Sequence, residues 1–189
     1  MQKDYQSKSS SKAALSDADS VLARQLPANV EAERSVLGAF LLHDEQVGTI
    51  SETLRPEDFY SIAHRTIYRT MLDLINAHKR IDIVTLQDEL TKSDEIENIG
   101  GVAYLISLQE DIPSLGLVEQ HAKIIKEKSV LRELIQSAAG IITNCYSQDE
   151  KNIESVLDSA EKTIFEIAHK RTNYSFVQLD IWLKKTFQH

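Results

Sequence analysis

One cysteine, three prolines and six glycines are spread over 189 residues. A single thiol, Cys145, excludes an intramolecular disulfide and fits a reducing compartment. So few prolines and glycines argue against a chain of short strands and tight turns, and favour long helices. No apolar run approaches the length a membrane span requires. The opening stretch MQKDYQSKSSSKAALSDADS has no apolar core of the kind a secretory signal needs, which points to a cytoplasmic protein. A basic excess is missing too. The formal net charge is −8, and residues 27–116 hold sixteen acidic groups against seven basic ones. Such a block repels phosphate, so weak or no direct DNA binding is expected.

The motifs of common chemistry are also absent. A phosphate loop needs G-x-x-x-x-G-K-[ST], and no glycine here is followed by lysine. No G-x-G occurs, so a dinucleotide fingerprint is excluded. The six histidines are scattered and there is one cysteine, which argues against zinc. Acidic clusters stand at 43–46, 55–60 and 94–98, where predicted helices begin or end. Carboxylates there favour the helix dipole and stay solvated. Cys145 falls on the apolar side of its helix with no histidine within helical reach, and is expected to be a small buried hydrophobe. No catalytic residue, cofactor site or metal site is therefore assigned to this chain.

What is present is helical periodicity. Residues 1–26 are rich in Ser, Lys, Asp and Ala, and read as a disordered tail. Residues 27–116 read as a helical head. Pro27 and Asn29 open its first helix, with Glu31 and Glu33 in the first turn and Val36, Leu37, Phe40 and Leu41 as the buried stripe. Further helices are expected over 63–78, over 84–90 and after Gly100-Gly101. No segment alternates at period two, so strands are not expected. Residues 117–171 read as two long helices joined by the polar SQDE stretch, an antiparallel hairpin. The candidate interface on it is Ile125, Leu134, Ile135, Ile141, Val156, Leu157, Ile164 and Phe165. Such a face is buried either on the head or on a second copy of the chain. A last helical segment, 172–189, carries a separate stripe of Leu179, Trp182, Leu183 and Phe187. The fold class is all-α: a multi-helix head, a long hairpin and a C-terminal helix.

Three stretches in order carry a resemblance. PANVEAERSVLG, then FYSIAHRTIY followed by IDIVTL, and then GGVAYLISL with HAKIIKEKSVLRELI, resemble the N-terminal part of the bacterial replicative DNA helicases, the DnaB family. The matching positions include Pro27, Asn29, Glu31, Ala32, Glu33, Gly38, Phe59, Tyr60, His64, Asp82 and Thr85. SFVQLDIWLKKTF looks like the segment preceding that family's ATPase domain, although Gln178 stands where proline is usual.

The resemblance implies a collar domain that assembles with itself, as a dimer, a trimer of dimers or a hexamer, and docks primase and a helicase loader. It implies that ATP and Mg are used in a RecA-like ATPase domain that the present sequence lacks. The stripe Leu179, Trp182, Leu183 and Phe187 would then lie on the RecA-like domain of a neighbouring subunit. Glu31, Glu33, Phe59, Tyr60, His64, Asp82 and Thr85 would define the fold, with Asp82 capping the helix that holds Thr85 and His64 a bonded structural histidine. A stand-alone adaptor or decoy of the same fold, which binds helicase or primase, is the alternative. The helicase-binding domain of primase shares a similar outline, but EAERSVLG and FYSIAHRTIY look like the helicase.

Overall fold

The computed structural model describes residues 24–43, 45–110, 117–147 and 152–186, with the backbone alone at 45, 46, 49 and 170–186. Seven α-helices stand among them: α1 Val30–Leu42, α2 Glu45–Ser51, α3 Ile62–Asn76, α4 Ile83–Lys92, α5 Gly101–Ser107, α6 Val118–Tyr146 and α7 Ile153–Thr186. A single 3₁₀ turn, Pro56–Asp58, precedes α3. No strand occurs among the described residues. The architecture is the expected all-α one.

The helix starts follow capping chemistry. Asn29 accepts from Ala32 N at 2.9 Å, Ser61 from His64 N at 3.4 Å and Asp82 from Thr85 N at 2.8 Å. Each side chain satisfies one of the backbone donors that a helix leaves open at its start. Gly100 and Gly101 have φ of +99° and +73°, a left-handed pair that glycine adopts without penalty, and α5 starts there.

The head closes around one core. Phe40, Phe59 and Tyr68 stack at its centre, with ring centroids 5.9 and 4.8 Å apart. Val36, Leu37, Ile67, Met71, Leu74, Leu86, Leu90 and Leu105 fill the space around them. Phe59, expected to help define the fold, is core. The tail 1–26 lies outside the described residues except for 24–26, and so does the end of the head at 111–116.

Two expectations need correction. α6 does not belong to the hairpin alone. Val118, Ala122 and Ile125 in its first turns are part of the head core. Ile125, expected on the interface, is 1% exposed and closed off inside the chain. Periodicity shows that a residue is buried but not by what. The second correction concerns the end of the hairpin. α7 runs unbroken for 34 residues, so the segment from 172 continues the hairpin helix rather than starting a new one. Nothing in 168–175 is a proline or glycine that would break it.

Candidate interaction surface

α6 and α7 pack against each other and are joined by residues 147–152. Their seam is legible from burial. On α6 a partly covered row runs through Val130, Glu133, Ser137, Ile141 and Asn144. On α7 Val156, Ala160 and Thr163 are partly covered and Ile167 is buried. This three-and-four spacing marks the faces that meet.

Six exposed residues stand one position after a residue of this seam. Leu131 follows Val130, Ala138 follows Ser137, Ile142 follows Ile141 and Cys145 follows Asn144 on α6. Leu157 follows Val156 and Ile164 follows Thr163 on α7. One residue turns a side chain by roughly 100° round its helix. The two helices are antiparallel, so the same step turns them in opposite senses, and both sets point to one side of the pair. The hairpin therefore has one apolar side. Leu131, Ile135, Ile142, Ile153, Leu157 and Ile164 are 39–68% exposed along it.

The expected interface residues now sort themselves. Leu134, Ile135, Leu157 and Ile164 contribute to this open side. Ile141 and Val156 lie in the seam between α6 and α7, and Ile125 lies in the head. Phe165, 65% exposed, points further round α7, where its ring meets His169 edge-on at 5.5 Å. Cys145 is exposed, against the expectation of burial, because no described residue covers that side. Leu131, Ile142 and Ile153 belong to the same periodic runs but were not among the expected interface residues. Leu179, Trp182 and Leu183 lie within the α7 backbone, but their side chains and all of Phe187 fall outside the described residues.

Two polar networks hold this surface in place. The first is inside the head. Glu33 is 1% exposed and His64 fully buried. The Glu33 carboxylate accepts from Tyr60 N at 2.6 Å, Ser61 N at 3.3 Å and His64 Nδ1 at 2.6 Å. A carboxylate can only accept, so Nδ1 carries the proton, and Nε2 on the far side of the ring bonds the Tyr104 hydroxyl at 2.5 Å. The set resembles an acid–base relay, but its carboxylate and ring are closed to substrate. It staples α1 to α3 and α5. Glu33, read from sequence as a first-turn acid, is thus also a buried acceptor.

The second network joins head to hairpin. Asp58 accepts from Lys126 Nζ at 2.8 and 3.0 Å, from Ser129 Oγ at 2.7 Å and from Arg55 N at 2.8 Å. Arg132, 7% exposed, donates to the carbonyls of Asp58 at 2.5 Å and Pro27 at 2.9 Å and lies 5.7 Å from the Tyr60 ring centre. Burial pulls its guanidinium below the ordinary arginine value, opposed by the charges of Glu33 and Asp58. Burial, with the Asp58 charge added, pushes the Tyr68 phenol well up, so it stays a neutral donor to Leu54 O at 3.2 Å. Among the described residues no group of three metal-ligating side chains converges, and no helix is long and apolar enough to cross a membrane.

Comparison with known proteins gives a consistent result. The family profile described as the DnaB-like helicase N terminal domain matches residues 25–127. The replicative DNA helicase DnaC of Bacillus subtilis (strain 168) is 38% identical over 161 residues, which are 85% of this chain and 35% of that protein. The replicative DNA helicase DnaB of Geobacillus stearothermophilus gives the same identity and coverage. The chain thus spans about a third of the length of the curated relatives it matches. Among solved structures, the N-terminal domain of DnaB helicase from Mycobacterium tuberculosis superposes with a TM-score of 0.71 at 33% identity, over 75% of this chain and 99% of that one. A DnaB-like replicative helicase, whose structure was described with its interactions with primase, superposes with a TM-score of 0.61 at 26% identity, over 75% of this chain and 31% of that one.

Proposed function

Since the chain belongs to the DnaB-like helicase N-terminal domain family, we propose that it is the collar domain of a replicative DNA helicase. In this reading it joins copies of itself into the helicase ring, as a dimer, a trimer of dimers or a hexamer, and it docks primase and a helicase loader during DNA replication in the cytoplasm. The observation that carries the reading is the single apolar side of the hairpin, with six large residues 39–68% exposed. A one-sided stripe of this size is a surface for another protein. Two copies would close it by laying their hairpins face to face.

The primase part is supported by the solved relative described with primase. Unwinding and ATP hydrolysis, with Mg, belong in this reading to a RecA-like domain. No glycine of the present chain is followed by the lysine a phosphate loop needs. Leu179, Trp182, Leu183 and Phe187 would rest on the RecA-like domain of the neighbouring subunit.

Sedimentation velocity tests the assembly. At about 50 µM, a self-contact worth roughly 8 kcal/mol is nearly saturated, so the chain should run as a dimer or larger. A monomer at that concentration overturns the reading. Titration with primase, read by calorimetry, tests the docking in the same sample.

A further inference from the structure

The buried stripe of α6 changes character along its length. Val118, Ala122 and Ile125 fill head core, and at the same three-and-four spacing the next positions are Ser129 and Arg132. A core stripe that turns polar carries a cost unless every group is bonded. Here each has a partner, and the partners converge. Both Asp58 carboxylate oxygens take Lys126 Nζ, Oδ1 also takes the Ser129 hydroxyl, and the Asp58 carbonyl takes Arg132. Arg132 also holds the Pro27 carbonyl, which ties the entry of the chain to the same spot. Two separate pieces of the head are thus fastened to less than two turns of one helix.

The place matters. Val130 opens the seam with α7 and Leu131 opens the apolar side, so the polar cluster lies where α6 leaves the head. Beyond Arg132, α6 continues as a rod of about 20 Å. A tilt of about 10° at its base moves the tip by about 4 Å. Apolar contacts tolerate that much slippage, whereas charge-assisted hydrogen bonds of fixed geometry resist it. We propose that Asp58, held by Lys126, Ser129 and Arg132, is the positioning residue of a polar joint that sets the angle of the hairpin on the head. The joint aims the apolar side in one direction. It does not depend on what covers that side.

The test measures the angle itself. In a Cys145→Ser background, spin labels are placed at Val84→Cys on α4 and Asp158→Cys on α7, both exposed and outside the apolar side. Labelled chain is mixed with excess unlabelled chain, so that only distances within one chain are read by pulsed electron resonance. The parent should give one narrow distribution. Lys126→Met with Ser129→Ala leaves the Asp58 bond to Arg55 N in place and should widen the distribution about twofold, the spread expected of a rod tilting by about 10° either way. Lys126→Arg restores a charged donor to the carboxylate and should return the narrow distribution. Ser129→Ala alone should fall between. An unchanged width in the double variant overturns the proposal, and so does a widening that the arginine variant shares. Loss of helical signal in the double variant also overturns it, because the cluster would then be core and not a positioning device.

Discussion

Replacing Glu33 with alanine should be among the most damaging single changes in the head. The carboxylate is 1% exposed and accepts three bonds, from Tyr60 N, Ser61 N and His64 Nδ1. Alanine strands all three donors. A buried donor left without a partner costs about 1–3 kcal/mol. The two backbone groups are only part-buried and recover some solvation, so the sum settles near the 3–5 kcal/mol typical of breaking a buried pair. For a chain of this size each kcal/mol moves Tm by about 2–4 °C, which predicts a fall of roughly 6–20 °C. Circular dichroism at 222 nm against temperature at pH 7 reads it. His64→Ala should be similarly damaging. The double variant should lose about 1–3 kcal/mol less than the sum of the singles, because each single strands what the double removes. A Glu33→Ala melt within about 3 °C of the parent, or strict additivity in the double, would show that the network is decorative and the reasoning wrong.

Leu157, 58% exposed on the open side of α7, should tolerate Leu157→Glu without loss of helicity, while self-association measured by sedimentation falls at least about tenfold, the equivalent of 1.4 kcal/mol. Asp82 accepts from both the amide and the hydroxyl of Thr85, and the amide bond first of all holds its carboxyl below the usual range. A lowered folded-state value gives stability that is present at neutral pH and lost as the pH falls through that value. Asp82→Ala should therefore cost about 1 kcal/mol in urea unfolding at pH 7, with the gap to the parent closing in acid. His78 is exposed at the end of α3 with φ of +55°, so His78→Gly should raise stability by up to about 1 kcal/mol in the same assay.

Much of the head was legible because local and tertiary signals agree there. The cap residues Asn29 and Asp82 and the glycine pair at 100–101 stand where helices begin, and the stripe Val36, Leu37, Phe40, Leu41 is buried as its spacing requires. α2 and the 3₁₀ turn are short, and periodicity over so few residues gives little to read. The polar networks were missed for a different reason. Glu33 lies three and four positions before Val36 and Leu37, on the buried face of α1, and a charge on an apolar stripe signals a buried partner. That partner is His64, on another helix, and no local rule pairs positions 33 and 64. Ser129 and Arg132 give the same signal on α6. Asp58 reads as a solvated turn acid until α6 is laid across it.

The hairpin shows how far periodicity reaches. It placed Ile125, Ile141, Leu157 and Cys145 together on apolar faces of their helices. The chain then gives these residues three different neighbours. Ile125 meets the head, Ile141 meets α7, and Leu157 and Cys145 face solvent among the described residues. What separates them is rotation. The stripe of α6 starts on the side that faces the head, passes through the Ser129–Arg132 joint, and re-emerges as a seam with an exposed row one residue ahead of it. A helix of 29 residues that only paired with α7 would need a single stripe. α6 needs two, because one end is structural core and the other carries the surface. The joint between them is polar because it lies where the apolar partner changes, and directional bonds there fix how one stripe is turned relative to the other.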